Sequence, residues 1–278
     1  MVEEAIQEGK ALRAIDSLKS DVAVFLGSSP VGPLYEPIHV KRWGQFVVKF
    51  GSFKKAGHVA WAVSGFLQNG GRECYVVNIE DLPKIEDPPA RLNEEEASEE
   101  AIKEWGIKMA EWEAMRAEAV EEISEKVEKG LEAIGDIWDA VGMVAVPGVA
   151  EPEVHEIVTS YSAESGCVSI LDAPEKIDNI GIEGLPEMED DQSILYFPWI
   201  HSKDLSIGRD SVCIPPSGHI AGLFVSLHDE SLKPSSAHIK GALGLKYKLS
   251  ANDRATVKNK GLNPLVYIAG LPAIVLTD

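Results

Sequence analysis

Asp172, Ser217 and His219 are the residue types from which a hydrolytic or acid–base site could be built, and the loop Gly27-Ser28-Ser29-Pro30-Val31-Gly32 is the one that could cradle a phosphate. Asp172 follows the apolar run Val168-Ser169-Ile170-Leu171, the position at which α/β enzymes often hold a carboxylate. In Asp172-Ala173-Pro174 it also fits a turn cap, the reading adopted here. Ser217 lies in Pro-Ser-Gly, without the Gly-x-Ser-x-Gly elbow that exposes a nucleophile, and reads as a helix N-cap. The Gly27–Gly32 loop is followed by Pro33-Leu34 where a phosphate loop needs Lys-Ser/Thr, and Pro30 removes a backbone donor. The histidines at 39, 58, 155, 201, 219, 228 and 238 form no His-x-x-x-His pair. His219 and His228, the second next to Asp229, would stand about 13 Å apart on one helix at 1.5 Å per residue, too far to share a metal. No catalytic, cofactor-binding or metal-binding residue is therefore expected.

The elements that would position these groups alternate between strand and helix. Val22 to Leu26 and Cys74 to Ile79 read as buried strands, Ile38-His39-Val40 as a shorter one, and a short helix is expected around Trp43-Gly44-Gln45-Phe46. His58 to Gln68 reads as a helix with Val59, Val63, Phe66 and Leu67 on one face, stopped by Asn69-Gly70-Gly71. Val141 to Val146, Cys167 to Leu171 and Ser193 to Phe197 are further strands. Glu151 to Ala163, Gly218 to about Asp229 and Ser250 to Lys260 are further helices, and strand-like runs around Val266–Ile268 and Ile274–Leu276 follow. The second of those helices opens on Pro215-Pro216-Ser217-Gly218-His219-Ile220-Ala221-Gly222. Continuous apolar strands imply a sheet covered on both faces, so the fold class is α/β, a mixed sheet flanked by helices.

One segment departs from this alternation. After the proline-containing linker 80–93, residues 94 to 129 carry thirteen glutamates against five Lys/Arg. Ile102, Trp105, Met109, Trp112, Val120, Ile123 and Val127 recur at steps of three and four, interrupted by Arg116. This predicts a long charged helix ended by Gly130. Either it lies across its own domain with an acidic face in water, Trp105 and Trp112 at least half covered, or it serves as a coiled-coil-like or partner-binding element.

Bulk properties agree with a globular protein. The 278 residues (30.1 kDa) suffice to bury roughly 75% of the unfolded chain's surface without staples. Cys74, Cys167 and Cys213 are odd in number and read as buried reduced thiols. A net charge of −19 argues against nucleic-acid binding, which needs a basic stripe. The acidic start and the lack of any long apolar run lead one to expect neither a cleaved signal nor membrane insertion.

Read in order, these segments resemble the contractile tail sheath proteins of phages and related injection systems. The resemblance runs through Asp21 to Gly27, Gly32-Pro33, Trp43 to Phe46, Phe50-Gly51, Ala60, Val63, Phe66, Asn69 to Arg72 and Cys74 to Val77. It resumes at Asp139 to Val141 and Val144 to Gly148, then Leu171 to Pro174, Tyr196 to Ile200, Pro215 to Gly222 and Gly261 to Asn263. It implies a structural protein, not an enzyme, and no cofactor. Its partners would be neighbouring sheath subunits in stacked six-fold rings, an inner tail tube and a baseplate. It also implies a place in a virion tail or injection particle, made in the host cytoplasm. Residues 21–82 and 131–278 would form the sheath core, and 83–130 an acidic helical insertion. Residues 1–20 would be the remnant of an N-terminal arm, with that arm and the C-terminal region otherwise lacking.

Overall fold

The computed structural model describes residues 14–15, 17–53, 57–90, 92–93, 97–177, 180–188, 190, 193–205, 211–228, 238–267 and 274–276. Eight strands form one sheet: β1 (Ala23–Gly27), β2 (Ile38–Val40), β3 (Cys74–Asn78), β4 (Met143–Ala145), β5 (Val168–Asp172), β6 (Ser193–Phe197), β10 (Asn263–Tyr267) and β11 (Ile274–Leu276). Their order is β11-β10-β6-β5-β4-β1-β3-β2. The inner pairs are all parallel, and only the edge strands β2 and β11 run antiparallel to their neighbours. The sheet is therefore mixed, as its sequence suggests.

Alternation along the strands sorts the core into two layers. Ala23, Phe25, Cys74, Val76, Met143, Ile170, Ile194 and Tyr196 face one side, where α1 (Trp43–Phe50), α2 (Gly57–Gln68) and α5 (Ser217–His228) pack. Val24, Leu26, Val77, Val144, Leu171, Leu195 and Phe197 face the other. There they meet α3 (Glu99–Glu132), α4 (Pro152–Ser165) and α6 (Ala251–Asn259). The result is a three-layer α/β/α sandwich in which every inner strand is buried on both faces. Sequence also sets the helix ends. Pro152 opens α4, Gly166 closes it in the left-handed region, and Ser250 and Asp253 form a capping box on α6.

The Pro215–Gly222 motif becomes intelligible where α5 crosses α2. A methyl group on Gly218 would lie 2.2 Å from the Ala62 Cα, and one on Gly222 would lie 2.3 Å from the Phe66 carbonyl oxygen. The two helices thus touch backbone to backbone, and only glycine permits that approach. Beyond the crossing, Asn69 accepts from the Lys240 N–H at 2.7 Å and donates to the Lys240 carbonyl at 3.1 Å. Ser226 Oγ donates to the Asn69 carbonyl at 2.6 Å. Because α2 lies between sheet, α1 and α5, it is buried almost all round from Val59 to Phe66, and not on the single face that its apolar spacing suggests.

Other expectations need adjustment. Chain beyond Pro198 enters a second, three-stranded antiparallel sheet, β8-β7-β9, made of Ile200–Ser202 (β7), Val212–Ile214 (β8) and Ala242–Leu245 (β9). These strands are three or four residues long, and β9 reads Ala-Leu-Gly-Leu, so no periodic signal announces them. Gly130 does not end α3, which continues to Glu132. It sits inside the helix because Ile79 and Leu26 press to within 2.5 and 2.8 Å of where its Cβ would stand. The α3 seam is buried only at Val120, Ile123 and Val127. Towards its N-terminus the 80–93 segment covers it instead, with Trp112 Nε1 donating to the Glu86 carbonyl at 2.8 Å and Trp105 Nε1 to Ala90 at 2.9 Å. Both tryptophans are more than half covered. Arg116, the break in the seam, makes a two-pronged pair with Glu153 at the start of α4, at 2.9 and 2.8 Å. Of the N-terminal residues, Ala14, Ile15 and Leu18 are buried in the first core layer; Val2 to Glu4 lie outside the described residues.

The helix crossing yields a paired test. Gly218→Ala forces backbone apart and should cost about 1–3 kcal/mol in urea unfolding. Gly106→Ala, in the exposed part of α3 with open space around the new methyl, should gain about 0.5–1 kcal/mol. Equal effects at the two positions would refute the close contact.

Candidate functional site

Doubly wound sheets place ligands where strand order reverses, outside the carboxyl ends of the strands. Here that point lies between β1 and β4, which are parallel neighbours although β3 and α3 intervene in the chain. The protein's own side chains take up part of this crevice. Val59 packs on Gly27, and the His58 ring lies over Gly148 and meets Trp199 edge-on, with centroids 5.2 Å apart. Surrounding protein lowers the pKa of His58 below its ordinary value, although the residue stays exposed at the surface.

In the Gly27–Gly32 loop the Ser29 N–H and both serine hydroxyls are committed. The Ser29 N–H donates to Asn78 Oδ1 at 3.0 Å, Asn78 Nδ2 donates back to the Ser29 carbonyl at 2.8 Å, and Ser29 Oγ donates to the Phe50 carbonyl at 2.7 Å. Ser28 Oγ donates to Asp81, whose negative charge would repel a phosphate. The loop is a clasp between β1 and β3.

Asp172 and Ser217 do come together, which their separation in sequence does not reveal. Asp172 is the last residue of β5 and wholly buried. Its Oδ1 accepts from the Ser217 N–H at 2.9 Å. Its Oδ2 accepts from Ser217 Oγ at 2.6 Å and from the Gly148 N–H at 3.0 Å. The expected roles are corrected accordingly. Asp172 caps no local turn but the start of α5, forty-five residues away, and Ser217 is the donor there and not the helix's own cap. A carboxylate suits this place because the first N–H groups of a helix are unpaired and its positive end favours an anion. Burial pushes the Asp172 carboxyl up to about 6, and the bonds from Ser217 and Gly148 hold it down, leaving it ionised at neutral pH. Since Ser217 Oγ gives its proton to a carboxylate and no imidazole bonds it, the pair is a fastener and not a nucleophile with its base.

His219 points away from this joint, packed over Gly65, with Nδ1 buried and unpaired. Burial drops its pKa to about 4. His155 is likewise brought down to about 4 by burial, its Nε2 donating to the Val149 carbonyl at 3.0 Å. His228 pairs with Asp21 at 2.9 Å on the surface, and Asp229 lies outside the described residues. Among the described residues no three His, Cys, Asp or Glu side chains are grouped to hold a metal, and no helix is long and apolar enough to cross a membrane. The three cysteines are free. Cys74 and Cys167 are buried and Cys213 half-buried, and burial raises each thiol, Cys213 to about 11.

Motif reading misses one surface feature. A cleft of about 660 Å³ opens on the α1/α2 side, with Trp43, Phe53 and Leu67 on its floor and Lys41, Arg42 and Arg72 at its rim. Trp43 and Phe53 stack at 4.5 Å, and Phe53 continues onto Trp61 at 4.3 Å. Lys41 meets Glu73 at 3.1 Å; among the described residues no carboxylate pairs with Arg42 or Arg72. The signal for it was regional charge: Pro37 to Arg72 holds six Lys/Arg and not one Asp or Glu.

Known structures share this architecture. The helical sheath of the anti-feeding prophage in its contracted state superposes with a TM-score of 0.57 at 15% identity, over 93% of this chain and 61% of that one. It is the tail-sheath fold. The contracted sheath complex of the extracellular contractile injection system PVC gives 0.59 at 14% identity, over 93% and 60%. The sheath tail protein from Listeria innocua gives 0.56 at 10%, over 97% and 72%. The chain thus spans about three-fifths of the length of the first two. No protein-family model and no curated protein matches it by sequence.

Removing the Asp172 carboxylate tests the joint. Asp172→Ala leaves three donors unpaired, two of them buried, and should cost about 3–5 kcal/mol, while Asp172→Asn keeps one acceptor and should cost less. The protein should also weaken in acid. The unfolded chain protonates its histidines near 6.5 while native His155 and His219 resist until about 4, so stability falls through that window. Native Asp172 binds its proton near 6, before the unfolded carboxyl at 3.8, and opposes the fall. Urea midpoints across this range should therefore drop more steeply in Asp172→Asn than in the wild type.

Proposed function

We propose that the chain is a structural subunit of a contractile tail sheath, which polymerises around an inner tube and shortens to drive that tube through a cell envelope. The observation that carries this reading is the tail-sheath fold along more than nine-tenths of the chain. The side chains most suggestive of catalysis support it, since Asp172 and Ser217 hold α5 to the sheet and Trp199 is buried at the edge of the ligand crevice. In this reading the partners are neighbouring subunits, the tube and the baseplate of a phage tail or injection particle. Residues 21–82 and 131–278 then act as the sheath core and 83–130 as a decoration on it. Energy for shortening comes from two packings of the same subunits and requires no nucleotide.

Electron microscopy of the purified full-length gene product should show rings or tubes. Dispersed single particles together with calorimetric binding of a nucleotide or metal would point instead to an α/β enzyme and sink the proposal.

A further inference from the structure

Charge is segregated across the sheet. The acid-free stretch Pro37 to Arg72 supplies α1, α2 and all but one residue (Leu205) of the cleft lining, on the first face. On the opposite face, α3 carries eleven glutamates against five Lys/Arg, and α4 adds three glutamates and no Lys or Arg. One stripe of α3 matches the cleft in chemistry. Glu104, Ile107, Glu111, Met115 and Glu118 recur at steps of three and four, so they share one face, turned away from the Trp105–Trp112 seam. All five are exposed; Ile107 is 53% and Met115 62% accessible, unusual for large apolar side chains in a helix.

We infer that this α3 stripe of one copy docks in the Trp43/Phe53 cleft of the next. Its glutamates would meet Lys41, Arg42 and Arg72, and Ile107 and Met115 would meet the aromatic floor. The inference rests on the sheath reading and specifies one of its subunit contacts. The occupant is a second copy because charges complement across the molecule: the cleft and α3 lie on opposite faces of the sheet, so one copy's helix does not meet its own cleft. An amphipathic helix in an apolar groove with a charged rim is a common recognition mode. Two different patches joined in this way make a head-to-tail contact, which propagates instead of closing as a two-fold dimer.

Two full-length variants test it, Arg42→Glu/Arg72→Glu and Glu111→Lys/Glu118→Lys, all at exposed positions. In low salt the wild type should self-associate in sedimentation, and about 0.5 M NaCl should disperse it. Either variant alone should associate at least about tenfold more weakly, and an equimolar mixture of the two should recover, which a misfolded variant could not do. Carbodiimide should join Lys41 to Glu111 or Glu118 between isotopically heavy and light wild-type copies. A monomeric wild type, silent reversals, failure of the mixture to recover, or links confined to single copies would each overturn the contact. Rings or tubes with silent reversals would leave the sheath reading standing without this joint; recovery in the mixture without rings or tubes would do the reverse.

Discussion

The architecture depends on how closely α2 and α5 approach. Two glycines, Gly218 and Gly222, let the α5 backbone rest on Ala62 and Phe66, and Asp172 fixes the height at which α5 begins. This places a buried anion at a helix terminus that would otherwise present unpaired N–H groups to an apolar interior. Ionising a carboxyl in such a place is costly, but three donors converge on it and Gly148 is among them. The turn after β4, the end of β5 and the start of α5 therefore share one anchor. Around it the aromatic floor of the cleft, the part-filled crevice and the second sheet take their positions.

Much of this was legible in the sequence. Strands such as Cys74–Asn78 and Ser193–Phe197 are apolar at every or nearly every residue, and that alone marks a sheet covered on both faces. The helix stop at Asn69-Gly70-Gly71 works locally, so neighbouring residues suffice to find it. The Asp172–Ser217 joint is different, because a carboxylate forty-five residues from its partner has no local signature, and each residue alone fits a turn or a cap. Gly130 misleads for a related reason. A glycine near a helix end usually terminates it, and only Leu26 and Ile79 on other strands reveal that it is there for closeness.

The long acidic helix shows how a seam can be shared between kinds of neighbour. Near its C-terminus Ile123 and Val127 pack on the sheet as any core helix would. Further out, extended chain takes over the covering, and the indole N–H groups of Trp105 and Trp112 bond to its carbonyls. Large aromatic rings with one polar edge suit that task, since the ring covers apolar surface while the N–H satisfies backbone that has no strand partner. The glutamates stay in water, where mutual repulsion at surface dielectric is slight.

A crevice partly taken up by its own side chains has a thermodynamic consequence. Proteins that bind metabolites at the sheet's switch point gain stability in proportion to the logarithm of ligand concentration, so their folding free energy follows the state of the cell. With Val59 against Gly27 and buried Trp199 beside His58, protein already occupies part of the space where such a ligand would act on that lever. The stability contributed by that packing is set when the chain folds.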